Sequence, residues 1–172
     1  MTDVSTSRPA TARGVMTEPG TGRATWAMGS IFEHVLDGDA SGGTLGVAMV
    51  TQPPGIATPL HRHTREAEAF FLVEGRMSYQ AGEEMFELYD GCFLYLPPQL
   101  PHAFRIRGDR PARILALTLP AGLLGLYDEV GIPAAERRVP GDDGQSMEVE
   151  IPKWAQVSPG YGLEVLGPPI PE

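Results

Sequence analysis

Between His61 and Leu119, turn signals recur at intervals of seven to eleven residues, at Glu74-Gly75, Ala81-Gly82, Asp90-Gly91, Pro97-Pro98 and Gly108-Asp109. The segments left between them read as short strands: 61–64, 68–74, 76–80, 84–88, 92–97, 102–107 and 112–119. Two more strands precede them, 30–36 and 44–51, joined by the turn-rich Asp37-Gly38-Asp39-Ala40-Ser41-Gly42-Gly43. Pro53-Pro54-Gly55 breaks the second, and Pro59 makes the approach to His61 extended. Many short strands with frequent turns predict an all-β chain folded as an antiparallel sandwich or barrel.

The ends of the chain read differently. Residues 1–24 are rich in Ser, Thr, Gly, Pro and Arg without an apolar period, which predicts a mobile arm, with order beginning near Trp26. The barrel is expected over 25–120. In the remainder, 121–172, residues 121–130 carry Leu123, Leu124 and Tyr127 at helical spacing and end at Gly131-Ile132-Pro133. Residues 133–146 read as a loop, and 152–157 as a second short helix anchored by Trp154. Both helices are expected to pack on the outside of the barrel.

With 172 residues the chain is long enough for one domain with tails. A net charge of −9 opposes nonspecific binding to nucleic acid or to anionic membrane, and no apolar stretch approaches the roughly 20 residues of a membrane span. The N-terminus lacks the apolar core of a signal peptide, so a cytoplasmic location and a small-molecule partner are expected. The lone cysteine, Cys92, permits no internal disulfide and reads as a small buried strand residue.

Chemistry concentrates in the stretch from Gly55 to Gly75, which holds His61, His63 and Glu68, and in the later His102. Three of the four histidines therefore belong to one constellation. Residues i and i+2 of a strand share a face about 6.5–7 Å apart, so His61 and His63 can converge on one ion while Arg62 points away. The loop 64–67 is short enough for strands 61–64 and 68–74 to pair, which would set Glu68 across from both imidazoles. Three imidazoles and a carboxylate suit one divalent metal, Fe, Mn, Co, Ni, Cu or Zn, and leave a position open for catalysis. His34 lies outside the constellation and reads as a hydrogen-bonded strand histidine.

These residues carry a resemblance. Gly55, His61, His63, Glu68 and Gly75 are spaced as in the first cupin motif. Gly91, Pro97 and His102 are spaced as in the second, with Gln99 where the family has glycine and Ile106 where it has asparagine. Fifteen residues separate Gly75 from Gly91, similar to the spacer of small single-domain cupins. Trp26, Gly42-Gly43, Pro120-Ala121-Gly122 and the tail from Tyr161 resemble cupins grouped with quercetin 2,3-dioxygenases.

The resemblance implies a cupin barrel, a double-stranded β-helix or jelly roll with short C-terminal helices. It also implies a metal-dependent dioxygenase that takes a flavonol or related enol together with dioxygen. His61, His63 and His102 would hold the metal, with Glu68 as fourth ligand and as base. A non-redox cyclase or isomerase of polyketide-like substrates and a binding module without turnover are the alternatives. A homodimer is expected on the same ground.

Alternation puts Phe70 and Leu72 on the face of Glu68, and Phe104 on that of His102, as an apolar wall for an aromatic substrate. Gln99 is expected at the mouth, where a left-handed turn would be needed. The inward or outward sense of Trp26, Phe32, Met49, Met77 and Tyr79 is not set by the pattern.

Overall fold

The computed structural model describes residues 13–172. Twelve strands and two helices follow in order: β1 (Ala24–Ala27), β2 (Ser30–Leu36), β3 (Gly46–Gln52), β4 (Pro59–His63), β5 (Ala67–Glu74), β6 (Arg76–Ala81), β7 (Glu84–Tyr89), β8 (Phe93–Leu96), β9 (His102–Arg107), β10 (Ala112–Leu119), α1 (Leu124–Val130), β11 (Ile132–Pro133), α2 (Met147–Val157) and β12 (Leu163–Pro169). The strands form two antiparallel sheets, seven in the order β11-β1-β2-β3-β10-β5-β8 and five in the order β12-β4-β9-β6-β7. Alternation decides which side chains enter the space between them. Along β5, Glu68, Phe70 and Leu72 are buried while Phe71, Val73 and Glu74 are exposed. The resulting core includes Phe32, Val50, Leu72, Met77, Leu96, Ile106 and Ile114.

The expected pairing of 61–64 with 68–74 does not occur. β4 belongs to the five-stranded sheet, where its neighbours are β9 and β12, and β5 belongs to the other sheet between β10 and β8. Thr64 and Arg65 explain the crossing, because their bonds go to the C-terminal segment. Thr64 N–H donates to the Gly162 carbonyl at 2.8 Å and Arg65 to the Gly160 carbonyl at 2.5 Å. With both edges of β4 occupied, β5 starts in the facing sheet.

The C-terminal segment departs further from the sequence reading. α2 begins five residues before the expected 152, with Ser146 accepting from the N–H groups of Val149 and Glu150. Part of the expected loop 133–146 joins a sheet, since β11 pairs Ile132 with Trp26 and Pro133 with Thr25. The tail forms β12 beside β4, with register shifts at Val165–Gly167 and Gly167–Pro169 that hide any strand period. A Cβ at Gly131 would lie 2.1 Å from the Trp26 carbonyl oxygen, so only glycine lets the chain leave α1 past β1. Leu123, Leu126, Val130, Trp154 and Leu163 form a second apolar cluster that joins both helices to β12.

The mobile arm expected over 1–24 falls partly on residues 1–12, outside the described residues. Beyond them, Thr17 Oγ1 donates to the Val35 carbonyl at 2.6 Å and His34 N–H to the Arg23 carbonyl at 2.8 Å, so this stretch runs beside β2. Among the described residues, no helix is long and apolar enough to cross a membrane.

Gln99 has φ of +71°, the left-handed region expected for its position. Its N–H donates to the His63 carbonyl at 2.8 Å and its side-chain amide to the Thr64 carbonyl at 3.1 Å. A non-glycine residue in this region costs about 1–2 kcal/mol. Loss of an exposed hydrogen bond and the greater freedom of unfolded glycine offset part of any relief. Gln99→Gly is therefore expected to leave stability equal or higher by up to about 1 kcal/mol. Urea unfolding checks this, and a clear loss would show that the amide bond outweighs the strain.

Candidate metal centre

β4 and β9 meet at one residue pair, His61 opposite His102. His63 stands two residues along β4 on the same face, and Glu68 reaches in from β5 across the barrel. All four side chains are buried, and one ligand atom from each lies within 4.8 Å of the other three. Glu68 Oε2 is 3.1 Å from both His63 Nε2 and His102 Nε2. The imidazole centroids of His61 and His102 are 4.3 Å apart.

Backbone carbonyls orient two of the rings. His61 Nδ1 donates to the Pro59 carbonyl at 2.8 Å and His102 Nδ1 to the Leu100 carbonyl at 2.9 Å. A proton held on Nδ1 leaves the Nε2 lone pair free for a ligand bond. His63 Nε2 and His102 Nε2 both face the Glu68 carboxylate, and buried His63 Nδ1 has no hydrogen-bond partner. Imidazole nitrogens converging on one buried carboxylate fit a divalent transition metal, for which His61, His63, His102 and Glu68 would supply the donor set.

The electrostatics of these groups without a metal pull in opposite directions. Burial, reinforced by His102 and His63, pushes the His61 pKa down to about 3. Burial also works against charge on His63, but the Glu68 carboxylate outweighs it and raises that pKa. For Glu68 burial favours the neutral acid, yet His63 and His102 prevail and hold it below the usual carboxylate range. A carboxylate among imidazoles is thus already a cation-seeking site.

Above the cluster lies a cavity of about 300 Å³. His61, Glu68 and His102 reach it, and Phe32, Phe70, Tyr79, Phe104 and Tyr127 supply aromatic walls. Phe32 and Tyr127 stack with centroids 4.1 Å apart and planes 17° from parallel. Leu124 and Tyr127 of α1 and Met147 and Trp154 of α2 close the remaining side. Their helical spacing alone points to the outside of the barrel and carries no sign of a place in the site. Tyr127 lay at helical spacing, but nothing in the pattern told which surface that helix covers.

Two residues expected to line the site do not. Leu72 is fully buried in the core away from the cavity wall, because each inward step along β5 moves farther from the metal cluster. Gln99 is exposed and ties its turn to the end of β4 rather than facing the cavity. Phe70 and Phe104 are lining residues. Of the side chains whose sense was open, Phe32, Met77 and Tyr79 face the cavity, whereas Trp26 and Met49 do not line it. His34 sits between two carboxylates, with Nδ1 3.0 Å from Asp37 and Nε2 3.0 Å from Asp128. Cys92 is half-buried just before β8 instead of inside a strand.

The low pKa of His61 predicts a pH dependence for metal-free protein. Between about 3 and 6.5 the unfolded chain binds a proton there that the folded chain does not, so stability falls as pH drops through this window. At pH 5 the loss is about 2 kcal/mol, from about 1.4 kcal/mol per pH unit. His63, whose pKa is raised, acts oppositely: its contribution is present at low pH and is lost as pH rises through the raised value. In His61→Gln the stability difference between pH 7 and pH 5 should shrink by about 2 kcal/mol, read from urea unfolding after chelation. An unchanged difference would show that His61 protonates freely in the folded state.

Comparison with known proteins agrees with this geometry. A family described as the cupin domain matches residues 48–118. Over 93 residues the chain is 32% identical to an uncharacterized protein of Methanocaldococcus jannaschii, covering 54% of this chain and 74% of that one. Over 121 residues it is 30% identical to quercetin 2,3-dioxygenase of Bacillus subtilis, covering 70% of this chain and 31% of the enzyme. The match thus spans about a third of that enzyme's length. The crystal structure of a predicted oxalate decarboxylase from Thermotoga maritima superposes with a TM-score of 0.55 at 17% identity, covering 62% of this chain and 99% of the other, and shows the shared fold. Two facing antiparallel sheets, both histidine motifs and these matches together establish that the chain belongs to the cupin superfamily.

Proposed function

We propose that the protein is a metal-dependent dioxygenase that cleaves a flavonol or a related enolic aromatic compound. The observation that carries this reading is the placement of the three-histidine, one-glutamate cluster against an aromatic-walled cavity of about 300 Å³. That volume lies at the small end of ligand sites, enough to enclose one flat ring system. Similarity to quercetin 2,3-dioxygenase supports the choice of substrate class.

His61, His63 and His102 would hold the metal, with Glu68 beside them. When bound, the metal supplies Lewis acidity and one-electron chemistry toward an enol and dioxygen. Glu68 faces the cavity, where its carboxylate can take the enol proton. Phe70 and Phe104 hold the ring plane, and the surrounding apolar wall keeps bulk water from the deprotonated substrate.

We also infer a homodimer formed through the outer face of the seven-stranded sheet. Phe93, Phe71, Leu115 and Met49 align in one cross-strand row, with Tyr95 beside it on β8. Phe93 and Tyr95 are 62% and 56% exposed on β8, the edge strand. Rows of this kind match themselves about a two-fold axis, so the partner is a second copy. Light scattering should give a dimer mass for the native chain and a monomer mass for Phe93→Glu. A monomeric native chain would end this inference.

Oxygen uptake with quercetin and other flavonols tests the reaction directly. Metal-loaded protein that binds a flavonol without consuming oxygen would rule out the dioxygenase. His102→Ala is expected to lose most of its metal by elemental analysis. Glu68→Gln should retain much of the metal through the three histidines and bind substrate, while turnover falls about 10²–10⁴-fold. Turnover that falls only in proportion to metal content would leave Glu68 as a ligand alone.

A further inference from the structure

Helix α1 supplies part of the cavity wall yet has little of its own to fix it. It spans seven residues, Leu124–Val130, and no side chain caps its N-terminus. Isolated helices shorter than about 12–15 residues are marginal in water, so tertiary contacts decide where α1 sits. Leu123, Leu126 and Val130 pack into the C-terminal apolar cluster. Toward the barrel two consecutive residues make the contacts: Tyr127 stacks on Phe32 of β2, and Asp128 bonds to β1 and β2.

Asp128 Oδ1 accepts from Thr25 Oγ1 at 2.6 Å and from His34 Nε2 at 3.0 Å. Its Oδ2 lies 2.9 Å from Arg23, and His34 Nδ1 lies 3.0 Å from Asp37. The Arg23 and Asp37 side chains are about half exposed, so solvent screens their share. The His34 side chain is 2% exposed and that of Asp128 22%, which makes their bond the one that water replaces least readily. Burial works against charge on Asp128, yet the bonds from His34 and Thr25 prevail and hold its carboxyl below the usual range.

Phe32 and His34 share one face of β2, both buried. The ring stack and the polar bond therefore join the same strand to the same helix, side by side. Phe32 and Tyr127 line the cavity, and His34 and Asp128 stand behind them. We propose that His34 and Asp128 are positioning residues: the bond between them fixes α1 on β2 so that Tyr127, stacked on Phe32, offers a set flat face to an aromatic ligand. The ligand, though not the clamp, rests on the flavonol reading above.

Anaerobic calorimetry of quercetin on metal-loaded protein tests it. Asp128→Ala should weaken binding about tenfold, with metal content at the native level. Asp128→Asn, which keeps a carbonyl acceptor for Thr25 and His34, should recover part of that loss. In a Tyr127→Leu background Asp128→Ala should cost under about twofold, because the residue it acts through is already gone. A lower thermal midpoint with unchanged quercetin affinity would make the bond a matter of stability alone and overturn the inference, as would an undiminished loss in the Tyr127→Leu background.

A second measurement needs no ligand. In zinc-loaded native protein the Tyr127 ring protons should resonate upfield, shielded by Phe32, and in Asp128→Ala they should move toward ordinary values. Unmoved resonances would overturn the clamp whatever the cavity binds. If quercetin does not bind the native chain, the flavonol reading fails and these resonances decide the clamp. Should Asp128→Ala not fold, His34→Gln is read by the same two measurements, with a smaller loss in the same direction expected and native values for both overturning the inference.

Discussion

The structure depends on one cross-strand pair, His61 on β4 opposite His102 on β9. That register brings two imidazoles from distant parts of the chain within 4.3 Å, and His63 follows two residues along the same face. A slip by one residue would turn Arg62 inward and both ligands of β4 outward. The register is therefore fixed by more than its own hydrogen bonds. β12 closes the other edge of β4, and Gln99 ties the turn before β9 to the carbonyl of His63. Parts of the chain far from the metal cluster hold its geometry.

Glu68 enters from the opposite sheet, which changes what the site can do. A carboxylate on a neighbouring strand would sit beside the histidines in one plane, whereas one from the facing sheet closes the cluster from across the barrel. Buried without a metal, these groups hold one another in a compromise: His61 is forced neutral and His63 is drawn toward charge by Glu68. A divalent cation would resolve that compromise, since His61, His63, His102 and Glu68 together offer it lone pairs and a carboxylate.

The aromatic cavity is a joint product of barrel and C-terminal segment. Phe70, Tyr79 and Phe104 come from strands, while Tyr127 and Trp154 come from helices that a barrel alone would not need. Tyr127 stacks on Phe32, and Trp154 belongs to the cluster that joins α1, α2 and β12. The same segment that secures the edge of β4 therefore also closes the cavity beside the candidate metal centre.

The sequence by itself determined the strand series and singled out His61, His63, Glu68 and His102 as the candidate metal set. Both are local properties: turn residues sit at the breaks, and His61, His63 and Glu68 lie within eight residues of one another. Strands 30–36, 102–107 and 112–119 agree with the structure residue for residue, because glycine, proline or aspartate breaks lie directly beside their ends. What only the tertiary structure decided is non-local. Glu68 crosses to the other sheet because β12, from the far end of the chain, already occupies the edge of β4. Leu72 shares the face of Glu68 but not its cavity, since alternation fixes side and not depth. The tail Leu163–Pro169 shows no strand period because prolines and register shifts interrupt it, and its partner strand supplies the order that its own residues do not.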